Sequence, residues 1–442
     1  MVYNNRGSYD TALDYHSKAL AGYEELGNTA QVAFVTNNIG FVHHNCGDIP
    51  LALEYLTKAL AINEELGEKS GIATSLNRIG LVHSNRGDLT LALEYHAKAL
   101  AMREELVEKS GVASITGNIG LVYSKMGDFP LALKYMEKAL ATNEELGDKK
   151  MTGGTLVNIG AVFSKMGDHS RAIEYFAKAL TLFDEIGEMP FKAIVIGNIG
   201  AVNMYTGNYP LALEYFGKAL AANEDLGIKN GEIISNIGAV HYHLGDYWLA
   251  LEYYAKSLSV VEELGQKTQV ASSIGNIGEL YATKKFEGYD PAKAEEMLLK
   301  SIAMDEEIGE KLHLYSVHKA LAELYENEKR WEEAFVHHKK YHELEKEVQS
   351  EEAKKSANLM EQRKQTAERE KEIAITKAAS DAKHQATEEL LHNVLPPSIA
   401  HRILGGENLS LRKYQVCRCF LPISSILPNS RNVLPPRNLS KD

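Results

Sequence analysis

The chain has 442 residues, 44% of them hydrophobic and 24% charged, the proportions of a folded protein and not of a disordered one. A formal net charge of −12 argues against nucleic acid or an anionic membrane as the main partner. No apolar run long enough to cross a bilayer occurs, and Met1-Val2-Tyr3-Asn4-Asn5 has neither the basic start nor the apolar core of a signal peptide. The three cysteines, Cys46, Cys417 and Cys419, have no histidines at metal-ligand spacing, which fits a reducing, cytoplasmic setting with no bound metal and no structural disulfide.

The chain opens inside a repeating unit, since Val2-Tyr3 and Gly7 match mid-unit positions, so a first half-helix is expected to be missing and the start clipped. Asn-Ile-Gly then recurs at Asn38 to Gly40, Asn118 to Gly120, Asn158 to Gly160, Asn198 to Gly200, Asn236 to Gly238 and Asn276 to Gly278, with Arg78-Ile79-Gly80 filling the gap. The glycines are 40, 40, 40, 40, 38 and 40 residues apart. Within one unit, Ile39, Val42 and His43 recur at helical spacing up to a break at Gly47-Asp48. Ala52, Tyr55, Leu56, Ala59, Leu60 and Ile62 then form the apolar stripe of a second helix that Gly67 ends. Gly40, Ala52 and Ala59 are small where the two helices meet, and Tyr55 and Leu56 fill the volume between. A single hairpin cannot bury its stripe, so neighbours must stack into a solenoid.

The third unit reads Ile119-Gly120, Tyr123, Gly127-Asp128-Phe129, Ala132, Tyr135-Met136 and Ala139. This resembles the tetratricopeptide family pattern of large apolar residue and Gly, a later aromatic, Gly-Asp-aromatic, Ala, an aromatic pair and Ala. It departs in length, because the family's usual unit is about 34 residues and ends in proline. Here Asn-Glu-Glu-Leu-Gly extends the second helix instead, as in the longer-repeat branch of polarity and signalling adaptors. The expectation is an all-α superhelical solenoid over residues 1–349. It holds a partial first repeat and about eight full ones, the last two degenerate around Phe286 to Pro291 and Trp331.

The resemblance implies that the first helix of each pair lines a concave surface where family members hold peptide segments. The repeat arithmetic places Asn38, Asn118, Asn158, Asn198, Asn236 and Asn276 there as a column, flanked one turn away by His44, Lys125, Lys165, Tyr205 and His243. An amide offers donor and acceptor together, so such a column can bond a peptide backbone. Periodicity supports equally a column that bonds neighbouring helices and fixes repeat geometry. His241 and His243 alternate on a helix and face different ways, against a metal role. Glu64-Glu65 and Glu104-Glu105 recur unit by unit as a solvated face. With no phosphate loop, nucleophile elbow or zinc spacing, the array has no expected catalytic residue and no cofactor.

From Glu343 to Glu389 the chain lacks Gly and Pro and reads as one long exposed helix, with 350–389 a coiled-coil signalling segment. Its seam of Leu344, Val348, Ala357, Met360, Ala379, Ala382, Ala386 and Leu390 is mostly alanine, so a weak parallel two-stranded coil or a lone charged helix fits it. Residues 390–407, Leu390-Leu391-His392-Asn393-Val394-Leu395-Pro396-Pro397-Ser398-Ile399-Ala400-His401-Arg402-Ile403-Leu404-Gly405-Gly406-Glu407, resemble the linker that enters the catalytic domain of class III adenylate and guanylate cyclases. That resemblance makes Leu391, Asn393, Leu395, Pro396, Ile399, Ala400 and Arg402 signalling-linker residues.

The cyclase family would next show Phe-Ala-Asp-Ile-Val-x-Phe-Thr, whose aspartate binds metal. The tail at 408–442 instead runs Val416-Cys417-Arg418-Cys419-Phe420-Leu421-Pro422, without periodicity, and is expected to be disordered. Read in a shifted frame with free choice of synonymous codons, the segment from Val416 becomes VSVFFADIVNFTEFS, the family motif, so a frameshift there is expected. The resulting expectation is a protein-binding scaffold that forms the regulatory part of a cyclase, without its catalytic domain and not itself an enzyme. The alternatives are a free-standing tetratricopeptide adaptor, and a cyclase whose catalytic domain is encoded in a shifted frame.

Overall fold

The computed structural model describes residues 6–347 and Gln385. The expected coiled coil (Gln385 apart), linker and tail lie outside the described residues, and with them Leu391, Asn393, Leu395, Pro396, Ile399, Ala400 and Arg402.

All regular structure in the described residues is helical. After α1 (Arg6–Glu25), helices pair as α2 (Thr29–Asn45) with α3 (Ile49–Leu66), α4 (Lys69–Arg86) with α5 (Leu89–Glu105), and α6 (Lys109–Met126) with α7 (Phe129–Glu145). Next come α8 (Lys149–Lys165) with α9 (His169–Ile186), α10 (Met189–Tyr205) with α11 (Tyr209–Asp225), and α12 (Gly231–Leu244) with α13 (Tyr247–Glu263). The array continues with α14 (Lys267–Tyr281) and α15 (Pro291–Ile308), then α16 (Lys311–Asn327) and the helical run α17 at 331–347. The sequence encodes the boundaries locally. Asp48, Asp128 and Asp168 cap α3, α7 and α9 by accepting from the backbone N–H groups of Leu51, Leu131 and Arg171. Gly67 closes α3 at φ 68°. Val107 takes the same left-handed conformation at φ 57° in the place other units give to glycine.

Each hairpin is closed by a glycine facing one large side chain. A Cβ built on Gly40 would lie 2.8 Å from Leu56 Cγ, one on Gly120 2.8 Å from Met136 Cγ, and one on Gly160 2.7 Å from Phe176 Cε1. Ala52 and Ala59 are fully buried beside that contact, as are Ala172 and Ala179 in the fourth hairpin. A ring stack follows one turn on: His43 on Tyr55, His83 on Tyr95, Tyr123 on Tyr135, Phe163 on Tyr175 and His241 on Tyr253, all 5.4–5.5 Å between centroids. Hairpins then join through residues such as Ile49 and Leu53, which pack on Ile79 and Val82 of the next unit.

Successive first helices touch one another, α2 with α4 and so on to α14 with α16, whereas among α1–α16 no second helix touches the next second helix. The array therefore curves with its first helices inside. The seventh unit is stretched. An irregular segment after Tyr281 buries Phe286 among the rings of Tyr247, Trp248 and Tyr281, and carries the spacing from Gly278 to its equivalent Ala322 to 44 residues. At the end of the described array Trp331 and Phe335, equivalents of Ile49 and Leu53, are 64% and 71% exposed because no described helix follows them. No helix of the described residues is long and apolar enough to cross a membrane.

The closing contact makes opposite predictions for two glycines of α8. Gly160→Ala must displace Phe176 and is expected to cost about 1–3 kcal/mol. Gly154→Ala meets nothing within 4 Å and should gain up to about 1 kcal/mol of helix propensity. Melting curves of the two variants by circular dichroism should move in opposite directions.

His96 takes the place of Leu56 in the second hairpin, fully buried, with Nδ1 donating to Asn77 Oδ1 at 2.9 Å and Nε2 unpartnered. Burial lowers its pKa to about 4. Unfolded histidine titrates near 6.5, so the unfolded chain takes up the proton first, and stability present above about pH 6.5 is lost on acidification toward pH 4, by up to about 3 kcal/mol. His96→Leu should flatten this part of the stability-against-pH curve. An unchanged slope between pH 4 and 6.5 would refute the assignment.

Candidate functional site

The concave face is built from the inner rows of α2, α4, α6, α8, α10, α12 and α14, and it separates the six asparagines of the column into two sets. Asn38 Oδ1 accepts from Arg78 Nη1 at 2.9 Å, and the same Arg78 atom donates to Asn37 Oδ1 at 2.7 Å while the guanidinium lies 4.8 Å from the Phe41 ring centroid. Asn118 Nδ2 donates to Asn77 Oδ1 at 3.1 Å, and Asn276 Nδ2 to Ser235 Oγ at 3.4 Å. These three fix repeat geometry. Asn158, Asn198 and Asn236 are half-buried, and no described residue offers their side chains a hydrogen bond.

The cause lies one unit upstream. Each bonded member of the row after Asn38 reaches the residue just before its counterpart in the preceding unit: Arg78 reaches Asn37, Asn118 reaches Asn77, and Asn276 reaches Ser235. For Asn158, Asn198 and Asn236 the corresponding residues are Gly117, Val157 and Gly197, which have no polar side-chain atom. One turn further on, Phe41, Leu81 and Leu121 give way to Ala161, Ala201 and Ala239, so the free amides are not overhung by large neighbours on their own helices.

Lys125, Lys165, Tyr205 and His243 stand seven residues past their asparagines, two helical turns away and not the one expected. Lys125 Nζ donates to Ser84 O at 3.1 Å and Asn85 Oδ1 at 2.9 Å, and Asn85 Nδ2 donates to His44 Nε2 at 3.1 Å. Burial, then the charge of Lys125, lowers the His44 pKa, which keeps that imidazole neutral. Burial, then the charge of Lys165, lowers the Lys125 pKa. Lys165 is exposed with no ion-pair partner among the described residues, and Tyr205 is 73% exposed. His243 stacks on Tyr209 at 5.4 Å between centroids, whereas His241 turns into the hairpin toward Asp246 and Tyr253. Among the described residues no group of three His, Cys, Asp or Glu side chains could hold a metal ion.

Sequence reasoning missed the acidic end of this face. Glu279 and Glu323 occupy in α14 and α16 the position that Ala161, Ala201 and Ala239 hold earlier. Burial, then the charge of Glu323, pushes the Glu279 carboxyl up to about 7, opposed by Lys319. A change from alanine to glutamate at one repeat position was the available signal. The exposed edge of the array differs: there Lys69 pairs with Glu105 at 2.7 Å, Lys149 with Glu185 at 2.9 Å and Lys267 with Glu307 at 2.8 Å, exposed pairs that solvent screens to little net stabilisation.

The profile of the tetratricopeptide repeat family matches residues 31–105, 111–185 and 230–307. No curated protein matches the chain in sequence. Among solved structures, the chain is similar to a STAND signal-transduction ATPase with a tetratricopeptide repeat sensor from Pyrococcus horikoshii, with a TM-score of 0.55 and 17% identity. That match covers 78% of this chain and 54% of the other. The apo quorum sensor NprR from B. thuringiensis matches with a TM-score of 0.53 and 17% identity over 76% of this chain and 99% of its own. A Rap protein complexed with competence and sporulation factor matches with a TM-score of 0.50 and 15% identity, over 78% and 99%. At these identities the likeness establishes a shared fold.

Proposed function

Because the chain belongs to the tetratricopeptide repeat family, we propose that it is a protein-interaction scaffold whose concave face binds an extended segment of a partner protein through Asn158, Asn198 and Asn236. The observation that carries this is the set of three successive half-buried amides without partners, on a face where Asn38, Asn118 and Asn276 are already committed to the repeats. A half-buried amide with no partner in the protein is open to a peptide backbone, which offers it both donor and acceptor irrespective of side chains. Lys125, Lys165 and Tyr205 border the column and would contact the segment's side chains. A quorum sensor and a Rap protein in complex with its factor share the fold, which supports a regulatory rather than a purely structural scaffold. No residue of the array is assigned a catalytic role or a cofactor.

The finer reading places this array at 1–349 ahead of a signalling helix at 350–389 that pairs in parallel with a second copy, and a linker at 390–407. It is the sensory half of a class III nucleotide cyclase whose catalytic domain was lost to a frameshift near Val416. The run from Leu390 to Leu404 and the shifted-frame motif support it.

Asn158→Ala, Asn198→Ala and Asn236→Ala together should abolish recovery of partner proteins in pull-downs read by mass spectrometry while leaving the melting temperature within about 2 °C. Alanine at Asn38, Asn118 and Asn276 should instead lower the melting temperature. Identical behaviour of the two sets would refute the division. For the cyclase reading, deleting residues 390–404 should convert a dimer to a monomer by light scattering. An unchanged oligomeric state favours the free-standing adaptor, and a DNA sequence with no cyclase domain in any shifted frame after Val416 sinks the frameshift.

A further inference from the structure

We infer that the groove is electrically polar: its ligand is an extended peptide segment with an anionic group at the end lying on Lys125 and Lys165, and a cationic group at the end lying by Glu279. This rests on the groove reading above and adds the chemistry and direction of the partner.

The cationic end is unusual for this chain. The formal net charge is −12, and on the array edge lysines face carboxylates. Lys125, by contrast, spends its contacts on a carbonyl and an amide oxygen, both neutral, and Lys165 has no ion-pair partner among the described residues. The two lysines hold the same position on consecutive first helices, α6 and α8, which touch one another, and burial, then the charge of Lys165, lowers the Lys125 pKa. Two exposed cations on the inner row, neither with an ion-pair partner among the described residues, are free to take an anion from outside. The side chain that Lys125 touches, Asn85, is neutral and is bonded in turn to His44.

At the other end the row of Ala161, Ala201 and Ala239 is continued by Glu279 and Glu323. Lys319 stands 4.0 Å from Glu323 and leaves the Glu279 carboxyl, which faces Glu323, Lys319 and Tyr254, without a hydrogen bond or ion pair among the described residues. A cation presented there would sit against two carboxylates and one ammonium. Between the ends lie the three free asparagines, on α8, α10 and α12. Lys165 and Glu279 are three units apart; at about 10 Å per packed helix the span is roughly 30 Å, which about nine extended residues bridge. A ligand of this kind carries its opposite charges about nine residues apart.

The test is selection of random 12-residue peptides displayed on phage against the purified full chain. The expected outcome is enrichment of peptides with Asp or Glu near one end and Lys or Arg eight to ten residues away. Lys125→Gln with Lys165→Gln should erase the acidic preference, and Glu279→Gln the basic one, each weakening a selected synthetic peptide about tenfold by fluorescence anisotropy. Amidating that peptide's C-terminus and acetylating its N-terminus separate terminal charges from side-chain charges as the recognised groups. If the lysine and glutamate variants enrich the same peptides as the parent chain, polarity is wrong while binding through the asparagines stands. If alanine at Asn158, Asn198 and Asn236 leaves the charge pattern and affinity intact, the groove reading falls and polarity survives. Enrichment of uncharged peptides, or of none, overturns the polar groove outright.

Discussion

The array depends on one repeated steric constraint, the seating of a large side chain from each second helix against a glycine of the first. Leu56, His96, Met136, Phe176, Phe216, Tyr254 and Leu298 differ in shape and polarity, yet each meets a bare backbone at Gly40, Gly80, Gly120, Gly160, Gly200, Gly238 or Gly278. A methyl at any of these glycines would lie closer than van der Waals contact allows, so the interhelical distance is set by the backbone and the filling is negotiable. The eighth hairpin shows the limit of the rule, with Ala322 at the glycine position and His338, only half-buried, at that of Leu56. Close packing inside every hairpin leaves the curvature to the contacts between hairpins, and these bring first helices together on one side only.

That curvature turns a repeated sequence into a graded surface. Residues about 40 apart in the chain become neighbours, so each side chain on the inner face finds or lacks a partner according to one residue of the preceding unit. Where that residue is Asn37, Asn77 or Ser235, the row is stitched into the scaffold; where it is Gly117, Val157 or Gly197, the next asparagine is left open. Stitched units flank three open ones. Rigid ends and an open middle are what a peptide groove needs, because the ordering cost of the site is met by the fold and not by the ligand.

Electrostatics follow the same division. On the edge, lysine and glutamate recur in most units and neutralise each other at small energetic gain. On the inner face the charges do not repeat: lysine appears at Lys125 and Lys165, glutamate at Glu279 and Glu323, and alanine, tyrosine and histidine hold the equivalent places between. Departure from the repeat, rather than the repeat itself, marks the residues proposed above to meet a partner.

Much of the fold was legible in the sequence, because its causes are local. Glycines after helices, aspartate caps, the spacing of apolar residues and the glycine-aromatic pattern determined an all-α stack of hairpins and its family likeness. Periodicity also placed the asparagines on one face, since 3.6 residues per turn fixes direction around an axis. It could not say which were free, nor that the lysines lie two turns away, nor that Glu279 joins Glu323. Those facts belong to the stacking of helices, where the neighbour that satisfies an amide or pairs a charge comes from another unit. Only the tertiary structure decides that contact, because hydrogen bonds and ion pairs are lost over an ångström that no repeat length records.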